Sequence, residues 1–309
     1  MDKIRYMMRR LFLIGIFLCS LLSLSARETY AYAERDTTLR LDVYRPETAN
    51  GYTVVHVFGG GYLMGYRQNA WDSAWCAQLA DMGYTAVAID YRLGLKGIEM
   101  KKIRVETLVH CIYMAAEDCC AAVAWLVGHA EELGIDGDKI ILEGSSAGAI
   151  TALMTDYGRC NRLDYASVLP AGWRPAGVVS FSGAIYSEQG RVQWRYDKPA
   201  PTMMVHGTED GIVTYNKVEF GKLGWYGSSS LVKRFAHYGY PYCIYRMTGQ
   251  AHEACVGAPL LTYELNSFVH QYVEEGRQRA MDVTLQDSAI APEPFHINST
   301  KLLYKHKRL

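Results

Sequence analysis

The sequence predicts one α/β domain with a mostly parallel central sheet, helices on both of its faces and no large lid domain. Two observations lead to this fold class. Short apolar runs, several of them apolar at every position, alternate along the chain with longer segments of helical pattern. Strands that are apolar on both faces are typical of parallel sheets covered by helices on each side. In addition, 309 residues of which 50% are hydrophobic are enough for one large core.

The strand-like and helical segments follow one another in a regular order. A strand is expected soon after residue 26. Further strands are predicted over 39–46, 53–58, 84–90, 139–144, 177–182, 202–207 and 242–247, and helices over 70–82, 106–127, from about 147, and over 215–223, 231–237 and 259–276. Ligands of such sheets bind at the carboxyl ends of the strands. The residues that directly follow each strand are therefore the candidates for a functional site.

The N-terminus has the layout of a secretory signal peptide. Basic residues precede an apolar run over 11–24, and small residues follow up to Ala26. The run is shorter than the roughly 20 residues that span a membrane. Ala33 ends an alternative cleavage motif, but we favour Ala26 because the later residues resemble the first strand. We predict a signal peptide over 1–26, a catalytic domain over 27–278, a C-terminal extension over 279–309, and export without a stable membrane anchor.

Composition limits the partners of the protein. The net charge is zero and no basic stripe is visible, so we expect no nucleic-acid partner. Seven cysteines follow the predicted signal peptide, an odd number whose disulfide pairing the sequence leaves open. The sequence contains no C-x-x-C pair, the spacing that would indicate a zinc site. We expect neither a metal nor a cofactor.

Residues 144–148 read GSSAG, between a predicted strand and a predicted helix. The motif is G-x-S-x-G with Ser146 at its centre. A serine on a strained strand-to-helix turn projects its hydroxyl above the sheet, and small neighbours are needed where backbones approach closely. The N-terminus of the following helix favours negative charge there. Ser146 is the predicted nucleophile, while Ser145 lies off the centre of the motif.

A serine hydroxyl needs a base to act as a nucleophile. Two downstream strands are each followed by a suitable group, Asp210 after the strand 202–207 and His252 after the last strand. We predict that His252 takes the proton of Ser146 and that Asp210 orients its imidazole. Glu209 is an alternative acid. His206 precedes the acid and is interpreted as a loop-packing residue.

A glycine-rich segment, FGGGY at 58–62, follows the strand 53–58. Glycines let backbone N–H groups come close to a substrate carbonyl, as an oxyanion hole requires. We predict that the N–H groups of Gly59 and Gly60 act there together with that of Ala147.

Together these motifs resemble the α/β-hydrolase family, and within it the esterase/lipase group related to hormone-sensitive lipase and to bacterial xylan-side-chain esterases. The matching segments are LDVYRP (41–46), FGGGY (58–62), DYRL (90–93), GSSAG (144–148), HGTED (206–210) and the loop of His252. The resemblance spans about 30–276 and implies the α/β-hydrolase fold and a serine carboxylesterase in which Ser146, Asp210 and His252 form the triad. The family usually has a histidine before the glycines, where this chain has Phe58.

The substrate is less defined by the sequence. About twenty residues separate the strands 177–182 and 202–207, which is typical of a loop rather than a lid domain. We expect an open site suited to a polar or bulky ester, such as an acetyl or feruloyl ester on a glycan, with aromatic residues of 183–198 and 224–239 as candidate lining. A serine peptidase of the prolyl-oligopeptidase type and a non-catalytic hydrolase-like binding protein are the alternatives.

Overall fold

The computed structural model describes residues 27–286, and the larger of its two sheets has nine strands. In spatial order these are β1 (Arg27–Glu34), β2 (Thr38–Tyr44), β4 (Thr85–Ile89), β3 (Thr53–Val57), β5 (Ile140–Ser145), β6 (Gly177–Phe181), β8 (Thr202–Gly207), β11 (Tyr242–Met247) and β12 (Ala280–Leu285). The pairs β1–β2 and β2–β4 are antiparallel, and every other neighbouring pair is parallel. The mostly parallel sheet confirms the predicted fold class.

Helices cover both faces of this sheet. They are α1 (Ala70–Asp81), α2 (Val105–Gly128), α3 (Ala130–Leu133), α4 (Ala147–Asn161), α5 (Ser228–Tyr238) and α6 (Thr262–Phe268), which continues as a π-helical segment, Val269–Glu274. Short 3-10 segments lie at Met100–Lys102, Asp164–Ala166, His252–Val256 and Ala258–Leu260. Successive strand residues face opposite sides, so that Val54 packs with the apolar cluster of α1 and α6 and Val55 with that of α2 and α4.

The long helix α2 is a core helix. Its length and apolar composition would allow it to cross a membrane, but more than half of its apolar stretch is buried inside the protein. It packs against α4, the helix that follows the GSSAG motif. Burial against the rest of the domain therefore accounts for its hydrophobicity.

The second, smaller sheet has the strand order β7 (Ala184–Ser187), β10 (Leu223–Gly227) and β9 (Lys217–Phe220), all antiparallel. The helix predicted over 215–223 is therefore wrong. Phe220 and Leu223 pair across a two-residue turn whose first residue, Gly221, has a φ of 62°. Glycine at that position favours a tight hairpin turn, and it ends any helical continuation.

The C-terminal boundary also differs from the prediction. Residues 282–294 resemble a loop in sequence, but β12 runs from Ala280 to Leu285 and adds a parallel edge strand to β11. Arg246 on β11 holds it through an ion pair to Asp282 at 2.5 Å. The central sheet therefore extends beyond residue 278. The predicted signal peptide at 1–26 and the rest of the predicted extension, 287–309, lie outside the described residues.

Candidate active site

Ser146 sits on a strained turn between β5 and α4. Its backbone has a φ of 54° and a ψ of −118°, which is uncommon for a residue with a side chain. The turn is held by a hydrogen bond from the N–H of Ser146 to the carbonyl of Phe181 at 2.8 Å. A Cβ on Gly148 would lie 1.9 Å from the carbonyl oxygen of Val57, and one on Gly144 would lie 2.5 Å from that of Gly148. Close backbone contacts therefore explain both glycines of the motif.

The structure brings the three predicted side chains into one hydrogen-bonded chain. The Oγ of Ser146 lies 2.7 Å from Nε2 of His252, and Nδ1 of His252 lies 2.8 Å from Oδ2 of Asp210. The other carboxylate oxygen, Oδ1, accepts hydrogen bonds from the N–H groups of Ile212 and Val213 at 2.9 and 3.0 Å. Asp210 therefore occupies the acid position. The alternative acid, Glu209, is exposed, and Asp210 is buried.

The electrostatics of this chain favour a charged carboxylate and a basic imidazole. Burial by itself raises the pKa of Asp210, but hydrogen bonds from His206 and His252 outweigh it and hold the pKa well below its usual range. Burial by itself lowers the pKa of His252, but the hydrogen bond to Asp210 and the contact with the Cys255 thiol raise it above its ordinary value. His252 is therefore equipped to accept a proton from Ser146.

The predicted oxyanion donors lie next to this serine. A Cβ on Gly59 would meet the Oγ of Ser145 at 3.0 Å and the Cβ of Ser146 at 3.4 Å, so the glycine loop touches the turn. Within residues 27–286 the N–H groups of Gly59 and Gly60 donate no hydrogen bond. Ala147 is the first residue of α4, where the N–H groups have no intrahelical acceptor. All three N–H groups are thus available to a ligand.

Aromatic side chains hold the glycine loop in place. The ring of Phe58 stacks on Tyr91 with 4.3 Å between the centroids, and the Tyr91 hydroxyl donates to the Phe58 carbonyl at 3.0 Å. Tyr62, at the other end of the loop, donates from its hydroxyl to the carbonyl of Ala147 at 3.0 Å. The loop therefore keeps its support although Phe58 replaces the histidine usual in the family. This role of Tyr62 was not predicted from the sequence; its position directly after the three glycines is the signal that could have indicated it.

His206 does more than pack in a loop. It is fully buried, and its Nε2 lies 3.1 Å from the carbonyl of Val213 and 3.2 Å from Oδ2 of Asp210. Its Nδ1 lies 2.9 Å from the hydroxyl of Ser228, the first residue of α5. The interpretation as a packing residue is therefore incomplete, because His206 contacts the acid itself. The four-residue spacing of His206 and Asp210 across a glycine turn is the signal that could have revealed this contact.

A second buried histidine lies below the site. Nδ1 of His56 is 2.5 Å from Oε2 of Glu143, and its Nε2 is 2.8 Å from Oδ1 of Asp72. Burial alone would lower the pKa of His56, but the two carboxylates raise it above its ordinary value. Trp75 donates from Nε1 to Glu143 as well, at 3.3 Å. We call His56, Glu143 and Asp72 the interior cluster; it joins β3, which leads to the glycine loop, to β5, which leads to Ser146.

Two aromatic residues of 183–198 line a cavity. Tyr186 and Tyr196 line a cavity of about 220 Å³ together with Tyr157 of α4. Tyr157 comes eleven residues after Ser146 (157 − 146), and a helix rises about 1.5 Å per residue, so the cavity lies roughly 16 Å along α4 from the serine. The expectation that aromatic residues of 183–198 and 224–239 line the active site stays a prediction.

One family of known proteins matches the part of the chain that contains the glycine loop and Ser146. The model of the BD-FAE family matches residues 41–169, less than half of the chain. That range contains the glycine loop and Ser146, whereas Asp210 and His252 lie beyond it.

Solved structures decide the fold. The apo form of Thermogutta terrifontis esterase 2 superposes with a TM-score of 0.56, covering 81% of this chain and 95% of that chain at 21% identity. A structure of arylesterase superposes with a TM-score of 0.54, covering 81% and 85% of the two chains at 18% identity. The chain has the α/β-hydrolase fold.

Curated relatives of this chain bear the names of ester hydrolases. The ethyl acetate hydrolase of Pseudomonas putida is 27% identical over 53% of this chain and 51% of that protein. The arylesterase of Saccharolobus solfataricus is 29% identical over 44% and 40%. The Arabidopsis thaliana protein named "Probable isoprenylcysteine alpha-carbonyl methylesterase ICMEL1" is 30% identical over 42% and 24%. The chain thus spans about a quarter to a half of the length of these relatives.

Proposed function

We propose that this α/β-hydrolase is a serine carboxylesterase that forms an acyl-enzyme on Ser146. The observation that carries the proposal is the hydrogen-bonded chain from Ser146 through His252 to Asp210. The esterase names of its relatives support the choice of a carboxylic ester as the substrate. The glycine loop beside Ser146 supports the same choice, because an ester carbonyl becomes an oxyanion during attack.

The geometry supports a two-step reaction. His252 Nε2 accepts the proton of Ser146 while Oγ bonds to the ester carbonyl carbon, and the N–H groups of Gly59, Gly60 and Ala147 stabilise the resulting oxyanion. His252 then donates that proton to the alcohol oxygen as the ester C–O bond breaks. Water then attacks the acyl-enzyme and gives a proton to His252, which returns it to Oγ of Ser146 as the acyl–Oγ bond breaks and the acid leaves. Asp210 remains ionised throughout and stabilises the transient imidazolium.

We propose further that the protein is exported and that its substrate is an acetyl or feruloyl ester on a glycan. The basic and apolar N-terminal sequence supports export. The chain between β6 and β8 forms β7, which packs beside α4. That placement supports an open site with access for a bulky polar ester. N-terminal sequencing of the exported protein tests the first proposal, for which cleavage after Ala26 is expected.

Replacement of Ser146 tests the esterase mechanism. We expect Ser146→Ala to lower the kcat/KM for a short-chain aryl ester by about 10⁴-fold or more, and to abolish labelling by a fluorophosphonate probe. Ser145→Ala is the matched control, because the neighbouring hydroxyl is off the hydrogen-bonded chain and should be dispensable. Equal activity of Ser146→Ala and wild type would refute the mechanism.

A panel of substrates then separates the alternatives. Acetylated, feruloylated and plain alkyl esters are compared with aminoacyl-arylamides on the wild-type protein. Faster cleavage of the arylamides would favour a serine peptidase. A folded protein that resists the probe and every substrate would favour a non-catalytic binding protein.

A further inference from the structure

We propose that His206 is a positioning residue of this site: its Nε2–H group offsets part of the negative charge that the Asp210 carboxylate presents to His252. The inference rests on the proposed serine mechanism. It assigns a role to a buried side chain that touches neither Ser146 nor the oxyanion donors.

The environment of His206 determines where its proton lies. Nε2 faces two acceptors, the carbonyl oxygen of Val213 at 3.1 Å and Oδ2 of Asp210 at 3.2 Å. A bare nitrogen lone pair facing two oxygen acceptors would be repelled by both, so Nε2 carries the hydrogen. Nδ1 lies 2.9 Å from the hydroxyl of Ser228, which donates to it when the ring is neutral. Ser228 therefore fixes the tautomer that places an N–H on Nε2, which bonds the Val213 carbonyl and lies beside the acid.

The acid is thus contacted on both oxygens, but only one of them is shared between two histidines. Oδ1 accepts two backbone N–H groups, which hold the carboxylate in orientation without help from His206. Oδ2 lies 2.8 Å from His252 Nδ1 and 3.2 Å from His206 Nε2. Because orientation is already secured, the remaining effect of His206 is electrostatic. A positive N–H dipole next to Oδ2 weakens the attraction between the carboxylate and the His252 imidazolium.

Few other charges face the two histidines. On its own 3-10 segment His252 meets the Cys255 thiol, while Glu253 accepts from the backbone N–H of Ala251. His206 meets the ring edge of Tyr215, with 5.4 Å between centroids, and lies opposite Arg246 on β11. The Arg246 guanidinium binds Asp282 and the Tyr215 hydroxyl. Asp210 is therefore the ionised group through which His206 acts on His252.

Two variants of His206 separate the effect of the aromatic ring from the effect of the N–H donor. His206→Phe keeps an aromatic ring but removes both nitrogens, and His206→Gln restores an N–H donor at about the position of Nε2. Tyr215→Phe is the control for packing, because it keeps the ring that contacts His206 and removes only the hydroxyl that binds Arg246. For each variant, kcat and KM for a short-chain aryl ester are measured as a function of pH.

We expect the acidic limb of kcat/KM to move to higher pH by roughly 0.5 to 1 unit in His206→Phe, because the full carboxylate charge then reaches His252. His206→Gln and Tyr215→Phe should keep the limb of the wild type, and KM should change little in all three. An unchanged limb in a folded His206→Phe protein would leave His206 a purely structural role and overturn the proposal. A shift to lower pH would overturn it too, because it would mean that the acid had moved away from His252.

A second measurement does not depend on catalysis. The imidazole of His252 can be titrated by NMR in a Ser146→Ala background, with and without His206→Phe. The same upward shift is expected there. If the wild type hydrolyses no ester, the proposed function fails while this titration still decides the role of His206.

Discussion

Two of the histidines that contact carboxylates, His252 and His56, occupy very different places. His252 lies at the carboxyl edge of the central sheet, with one nitrogen on Asp210 and the other on the Ser146 hydroxyl. His56 lies inside β3, fully buried, with both nitrogens on carboxylates, those of Glu143 and Asp72. The chemistry of a histidine–carboxylate pair is therefore insufficient to identify a catalytic residue. Two features distinguish the active site from the interior cluster: its histidine lies at the edge of the sheet, and one of the ring nitrogens contacts a hydroxyl instead of a second carboxylate.

The interior cluster has a different task. It ties β3 to β5, and these strands deliver the glycine loop and Ser146 to the same edge. Burying an ion pair costs desolvation free energy, which offsets part of its stabilising effect. We therefore expect the interior cluster to fix the two strand ends relative to each other as well as to stabilise the fold. We therefore predict that replacing His252 mainly lowers the rate of ester hydrolysis, and that replacing His56 mainly lowers the free energy of unfolding.

The largest effect is expected at the edge. His252→Ala should reduce kcat/KM for an aryl ester by about 10⁴-fold or more, because Ser146 loses its base. Its melting temperature should fall less than that of His56→Ala, because Asp210 keeps two backbone N–H donors and its contact with His206. Steady-state kinetics measure the loss of kcat/KM, and a thermal melt on the same preparation measures the melting temperature. A His252→Ala protein with activity close to that of the wild type would break the comparison.

The interior histidine should show the reverse pattern. His56→Ala leaves two buried carboxylates without their partner and should lower the free energy of unfolding by about 3–5 kcal/mol. Urea unfolding measures this change. The double variant His56→Leu/Glu143→Leu is the control, since replacing a buried ion pair by apolar side chains restores much of the stability. If His56→Ala instead lost activity without losing stability, His56 would belong to the catalytic machinery.

A smaller contrast is expected in the pH dependence. The pKa of His252 is raised, and His252 must be neutral to accept a proton, so the acidic limb of kcat/KM should lie above pH 6.5. The pKa of His56 is also raised, so its stabilising contribution is fully present below about pH 6.5, the unfolded value, and is lost as the pH rises through the folded value.

The stability effect is best measured between about pH 6.5 and 8.5, before unfolded thiols titrate. In this range each histidine should lower the free energy of unfolding by up to about 1.4 kcal/mol for each unit by which the pH rises. The His56→Leu/Glu143→Leu variant should lose the part due to His56 and keep that due to His252. An acidic limb of kcat/KM below pH 6.5 would contradict the raised pKa of His252. A double variant whose free energy of unfolding changes with pH as steeply as that of the wild type would contradict the raised pKa of His56.

The same comparison shows what sequence could and could not predict. Ser146, Asp210 and His252 were predictable because each follows a strand, and parallel strands place their carboxyl ends at one edge. The contact of His206 with Asp210 was not, since it depends on how tightly the turn after β8 closes. The hairpin of β9 and β10 was predicted as helix because β9 has only four residues, mostly exposed, which is too short to establish a period of two. The strand β12 was missed because an edge strand half exposed to solvent resembles a polar loop.

The most direct test of the account is to map the site of a covalent adduct. The wild-type protein is treated with a fluorophosphonate, digested, and its peptides analysed by mass spectrometry. We predict a single modified residue, Ser146, and no adduct after His252→Ala under the same conditions. An adduct on Ser145 or elsewhere, or none on a folded and active wild-type protein, would contradict the claim that Ser146 and His252 share a proton path.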